Sequence, residues 1–242
     1  MLKKNIAMYS VLAVLLIISI VSAQRITYTS VPVNVATPSK SRLPVIVIDA
    51  GHGGVDGGSV GMDGTLEKEI NLKIALKLRD TLELYGYETV MIREEDKSIH
   101  NADANTIREK KVSDLHNRLN IINSTDNCVY ISIHQNYFEQ SKYSGTQVFY
   151  SPNNEESEML AQIMQQTIVE TLQNDNTRQI KCADKTLYLL YNSNKPSVMI
   201  ECGFLSNVNE LSLLKTDEYQ QQMALCIANG ILKYTEKINS GE

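Results

Sequence analysis

From position 45 onward, short apolar runs alternate with longer amphipathic ones. Val45, Ile46, Val47 and Ile48 form an unbroken apolar run that stops at a glycine-rich loop between Gly51 and Gly64, the pattern of a strand buried on both faces. Ile70, Ile74, Leu78 and Leu82, with Ala75 and Tyr85 on the same side, predict a helix that Gly86 ends. Residues 89–93 read as a second strand, and the charged stretch 94–111 as a surface excursion near the rim of a site. Ser113 is the expected N-cap of a helix carrying Leu115, Leu119 and Ile122. Residues 128–133 and 146–150 read as strands, and Leu160, Met164, Ile168 and Leu172 mark a long helix. Two short strands are expected at 187–190 and 198–200. Asn207 with Glu210 looks like a capping box, and Asp217 is the expected cap of a closing helix through Ala228 and Leu232. This alternation predicts an α/β fold with a central mixed sheet.

Residues 1–5 carry Lys3 and Lys4, and residues 6–23 are mostly apolar, uncharged and end in Val21, Ser22 and Ala23. That pattern fits a secretory signal or an uncleaved membrane anchor, and its positive flank sends the remainder out of the cytoplasm. Residues 24–43, with Pro32, Pro38 and many hydroxyl side chains, read as an exposed linker. Of 242 residues, about one domain's worth remains, placed at 44–238. Without residues 1–23 the chain has 21 Lys and Arg against 28 Asp and Glu. An acidic domain of this kind is a poor nucleic-acid binder, and contact with a membrane is expected only through an uncleaved leader. Cys128, Cys182, Cys202 and Cys226 lie far apart with no C-x-x-C pair, which predicts neither a disulfide framework nor a zinc–cysteine site.

Three apolar runs end at or near a residue able to serve a metal: His52, His134 and Glu201. Side chains beyond the carboxyl ends of strands in an open α/β sheet gather in one crevice. His52 sits between glycines that let the backbone turn sharply, and no Lys-Ser/Thr pair closes the run as a phosphate loop requires. Glu67 lies at the start of the first helix, where favouring the helix dipole is the simplest role for a carboxylate. Glu201 directly follows an apolar strand and needs a cation, a donor or a function to be buried there. His100 and His116 fall in polar stretches and are assigned to solvated surface. Two imidazoles and a carboxylate are a three-ligand zinc set with a fourth position open to water; a second Glu beside that water would suit hydrolysis of an amide or ester. Spacing leaves open which Glu binds metal.

The segments V-I-V-I-D-A-G-H-G-G, G-T-L-E-K-E-I-N-L, S-I-H-Q-N and M-I-E-C-G-F-L-S-N occur in the order and approximate spacing of the zinc-dependent N-acetylmuramoyl-L-alanine amidases of the type 3 peptidoglycan amidase family. The resemblance covers about residues 44–236. It implies a phosphorylase/hydrolase-like three-layer α/β sandwich, one Zn2+ held by His52, Glu67 and His134, and Glu201 as the catalytic acid/base. The substrate it implies is peptidoglycan, cut between N-acetylmuramic acid and L-alanine.

The compact domain, the leader without wall-binding repeats, R-E-K-K-V-S-D-L and S-I-H-Q-N-Y-F resemble the germination-specific amidases of endospore formers. That resemblance implies a place in spore-cortex synthesis, where stem peptides are removed on the way to muramic δ-lactam. Cys202 and Gln135 depart from the family pattern, and a thiol beside Glu201 is expected either to bear on metal loading or to be open to oxidation. A regulatory protein partner is conceivable on the 94–111 excursion. Two other readings are a zinc peptidase acting on the stem peptide and a non-catalytic wall-binding scaffold.

Overall fold

The computed structural model describes residues 43–241; the leader at 1–23 and nearly all of the 24–43 linker lie outside the described residues. Side-chain alternation along the strands sets the layering. In β1 (Val45–Ala50), Ile46, Ile48 and Ala50 enter one core while Val47 enters another. β3 (Cys128–Asn136) splits likewise, with Val129, Ile131 and Ile133 on the first side and Cys128 and Tyr130 on the second. β6 (Ser197–Phe204) follows, sending Val198, Ile200 and Cys202 one way and Met199 the other. Successive side chains of a strand point to opposite faces, so a sheet with two apolar faces must be covered on both.

Completed by β2 (Thr89–Met91), β4 (Gln147–Tyr150) and β5 (Lys181–Cys182), the six strands run in the order β2-β1-β3-β6-β4-β5. β2, β1, β3 and β6 are mutually parallel, while β4 is antiparallel to β6 and parallel to β5. The mixed sheet expected from the alternation is therefore present. The first face is covered by α1 (Glu67–Leu84), α3 (Glu156–Thr171) and α6 (Asp217–Ser240), whose Ile74, Leu78, Met164, Ile168, Ile227 and Ile231 are fully buried. The second is covered by α2 (Ile107–Ser124) and the short α4 (Tyr188–Asn192), through Ile122 and Leu190. A further helix, α5 (Val208–Leu214), follows β6. The three-layer α/β sandwich stands as expected.

Several local expectations change. α2 begins at Ile107, not after Ser113: Thr106 and Glu109 form a reciprocal capping box, and the Ser113 hydroxyl donates to Glu109 O from inside the helix. Part of the expected 94–111 excursion is therefore helical. Residues 187–190 contribute to a helical turn rather than a strand. Thr216, not Asp217, caps α6, its Oγ accepting the Tyr219 N–H at 3.2 Å. Asn207 caps α5 as expected, but Glu210 turns away from the box to accept the Gly145 and Phe204 amides.

Candidate active site

The three adjacent parallel strands β1, β3 and β6 deliver the site at their carboxyl ends. His134 and Glu201 are register partners across β3 and β6. Beyond β1 the chain reverses in a tight loop closed by Gly53 N–H to Asp56 O (2.9 Å) and Asp56 N–H to Gly53 O (3.1 Å). His52 sits in this loop at φ 64°, a left-handed conformation that costs a non-glycine residue about 1–2 kcal/mol. Two glycines make room for the site. A Cβ on Gly51 would lie 2.2 Å from His134 Nε2, and one on Gly58 would lie 2.6 Å from Glu67 Oε2.

Glu67, the first residue of α1, is 2% exposed. Its Oε2 accepts the Ser59 N–H (2.8 Å) and lies 3.2 Å from His52 Nε2; its Oε1 accepts the Gln135 N–H (3.1 Å) and lies 2.9 Å from His134 Nδ1. This is more than a carboxylate at a helix dipole. One ligand atom each from His52, Glu67 and His134 fall within 4.8 Å of one another, so the three could hold a metal ion. The imidazole rings meet edge to face with centroids 4.9 Å apart. Between the protein groups alone, burial works against the Glu67 charge, but hydrogen bonds from His134 and His52 hold the carboxyl far below its ordinary range. Burial likewise opposes protonation of His52, and Asp56 and Glu67 overcome it, raising the ring to about 9.

Glu201 differs from Glu67. Its Oε2 is sealed from solvent with no hydrogen-bond partner. Burial pushes its carboxyl up to about 7, with the Glu67 charge adding to the effect and His134, His52 and Arg178 opposing it.

A second set of buried groups, not singled out in the sequence, fixes this geometry. Arg93, 1% exposed, donates to Ala50 O (2.7 Å), Gly51 O (3.1 Å) and Lys68 O (2.8 Å), tying the end of β1 to α1. Asn71 donates to Gly51 O (3.1 Å) and accepts from Gln135 Nε2 (3.1 Å). Arg118 of α2 pairs with Asp49 and Asp114 and donates to His52 O at 2.7 Å. Asp56 lies 2.9 Å from His52 Nδ1. Asp49 carried a readable signal, since a carboxylate in an apolar strand needs a partner; the arginines carried none.

The remaining candidates lie apart from the cluster. His116 is exposed beside Tyr188, and His100 bonds Ser98. All four cysteines are unpaired. Cys202, fully buried, packs into the core on the sheet face opposite that of Met199, with its thiol beside the Gln135 side chain, and burial pushes that thiol far above its ordinary range. A cavity of about 200 Å³ opens beside His52 and His134, walled by Lys110, Lys111 and Leu115 of α2.

An α/β sandwich with a His-Glu-His cluster able to hold a metal and a carboxylate whose sealed Oε2 has no partner, both at its strand ends, has the parts of a hydrolase. Residues 46–233 match the N-acetylmuramoyl-L-alanine amidase family model. The germination-specific N-acetylmuramoyl-L-alanine amidase of Bacillus subtilis is 40% identical over 194 residues, covering 80% of this chain and 81% of that protein. Among solved structures, the CwlD amidase of Clostridioides difficile, determined in complex with the GerS lipoprotein, aligns with TM-score 0.77 and 42% identity over 80% of this chain and 98% of that one. The catalytic domain of CwlV from Bacillus (Paenibacillus) polymyxa var. colistinus aligns with TM-score 0.69 and 29% identity over 80% and 98%. The chain belongs to the N-acetylmuramoyl-L-alanine amidase family and is a peptidoglycan hydrolase.

Proposed function

We propose that this amidase is zinc-dependent, that His52, Glu67 and His134 hold the ion and Glu201 is its acid/base, and that it acts on spore-cortex peptidoglycan after export. The observation that carries the site assignment is the partnerless, sealed Oε2 of Glu201, the register partner of His134 in an N, N, O donor set whose carboxylate is buried. Two imidazoles and one carboxylate match the three-ligand sets of catalytic zinc, and the fit needs no further protein group. Zinc, when bound, supplies a lowered pKa for water, from 15.7 towards ~7, and polarises a carbonyl oxygen.

The rest is done by the chain's own side chains. Glu201 takes a proton from the attacking water and returns it to the alanine nitrogen as the amide breaks, a role suited to a carboxyl raised to about 7. Glu67 and the loop around His52 keep both imidazoles facing one point. The name of the B. subtilis relative supports a role in germination, and the C. difficile complex with a lipoprotein supports a protein partner for this chain too. The domain reading of a leader at 1–23, a linker at 24–43 and a catalytic unit at 44–238 belongs to the same proposal.

The test is mass spectrometry of peptidoglycan fragments incubated with the zinc-loaded protein. Peptides with a free L-alanine amine and sugars without a stem, both lost on chelation, are expected. Products cut within the stem would replace this reading with a peptidase. Zinc bound stoichiometrically by a His134→Ala variant would overturn the ligand assignment.

A further inference from the structure

His52 and His134 meet Glu67 through different ring nitrogens, Nε2 for the first and Nδ1 for the second. A neutral imidazole has one N–H and one lone pair, and its other contacts decide which nitrogen has which. For His52 that contact is Asp56, whose Oδ2 lies 2.9 Å from Nδ1. The ring is thus held between two carboxylates, with Nδ1 towards Asp56 and Nε2 towards the His-Glu-His cluster.

We propose that Asp56 is the positioning residue of the metal centre: its carboxylate holds the proton on His52 Nδ1 and so presents the Nε2 lone pair to the ion, while Lys111 of α2 steadies that carboxylate. The inference rests on the reading of His52, Glu67 and His134 as metal ligands. Lys111 Nζ lies 2.7 Å from Asp56 Oδ1, leaving Oδ2 for the ring. Asp56 is held by the backbone bridge to Gly53, and its Oδ1 also accepts the Gly58 N–H at 3.5 Å. Seven positions along α2 from Lys111, on the same helix face, Arg118 donates to His52 O. One helix face therefore steadies both the ring and the backbone of a single histidine. Carboxylates behind metal-bound imidazoles set tautomer and ring orientation, and losing one weakens metal binding by about 10- to 100-fold.

The test measures zinc affinity of the full chain by competition with a chromogenic chelator, together with nitrogen-15 histidine spectra of the zinc-loaded protein. In the wild type, His52 is expected to show a slowly exchanging Nδ1 proton. Asp56→Ala should bind zinc about 10- to 100-fold more weakly and lose that proton's protection. Asp56→Asn keeps an oxygen acceptor in place and should fall between the two in both readouts, which a merely structural role would not produce. Unchanged zinc affinity in Asp56→Ala, or a His52 Nδ1 proton as protected as in the wild type, would overturn the proposal. Failure of the wild type itself to bind zinc would instead overturn the metal reading on which it rests.

Discussion

Arg118 of α2 and Asp49 of β1 form an ion pair beneath the His52 loop, with side chains 2% and 1% exposed. Each guanidinium nitrogen donates: Nη1 to Asp49, Nε to Asp114 at 2.6 Å, and Nη2 to the His52 carbonyl at 2.7 Å. Asp49 is completed by the Tyr130 hydroxyl at 2.7 Å and the Ser132 hydroxyl at 3.3 Å. The pair ties the second layer to the strand end that carries the site, so it contributes to function through position rather than chemistry.

Removing one partner leaves a buried charge uncompensated. Arg118→Met is expected to lose about 3–5 kcal/mol of stability, read as a lower urea midpoint. Asp49→Asn combined with Arg118→Met should lose less than the sum of the two single changes, since the charge and its partner disappear together. Additive losses would mean the pair is not coupled.

The same pair makes a signed statement about acid. Burial alone would raise the Asp49 carboxyl, but the Arg118 charge and the Tyr130 hydrogen bond bring it below its ordinary value. A carboxyl depressed in the folded state contributes stability above its unfolded pKa of about 3.9 that is lost as pH falls through the folded pKa. Urea midpoints measured from pH 6 down to pH 2 should therefore fall less steeply in the Asp49→Asn, Arg118→Met double variant than in the wild type.

For Glu201 the sign is opposite. A carboxyl raised by burial to about 7 costs the fold stability as pH rises above its unfolded value. Glu201→Gln in chelator-treated protein should be more stable than the wild type by roughly 3 kcal/mol at pH 8, with the difference vanishing near pH 4, where both side chains are neutral. Activity of the same variant should fall by about 10²- to 10⁴-fold with zinc content unchanged. Equal stability at pH 8 would show that Glu201 is ionised without cost.

Gly51→Ala tests the packing of the site. Its backbone conformation is open to alanine, but the added methyl would lie 2.2 Å from His134 Nε2. The ring must move, and we expect weakened zinc binding measured by chelator competition, with the fold retained by circular dichroism. A variant with wild-type affinity would show that the His134 ring has room to spare.

Much of this molecule is legible in its sequence. The β-branched runs and four-residue apolar spacing placed β1, β3, β6, α1 and α3, because strands buried on both faces and amphipathic helices leave strong periodic marks. The clustering of His52, His134 and Glu201 followed from the rule that strand ends of an open parallel sheet share a crevice. The family motifs added Glu67, which periodicity could not separate from a helix-dipole carboxylate.

Other features depended on partners distant in the chain. Residues 187–190 are too short and apolar for period to distinguish strand from helix, and packing against the second sheet face made them part of α4. The start of α2 is set by the Thr106–Glu109 capping box, obscured by the polarity of its first turns. The Lys181–Cys182 strand has only its neighbour Phe149–Tyr150 to define it. The tertiary structure alone decided that Arg93 and Arg118 lie buried and that Asp56 stands behind His52. A local pattern records which side of an element meets the core; it does not record which polar groups, tens of residues apart, will satisfy one another once both have left water.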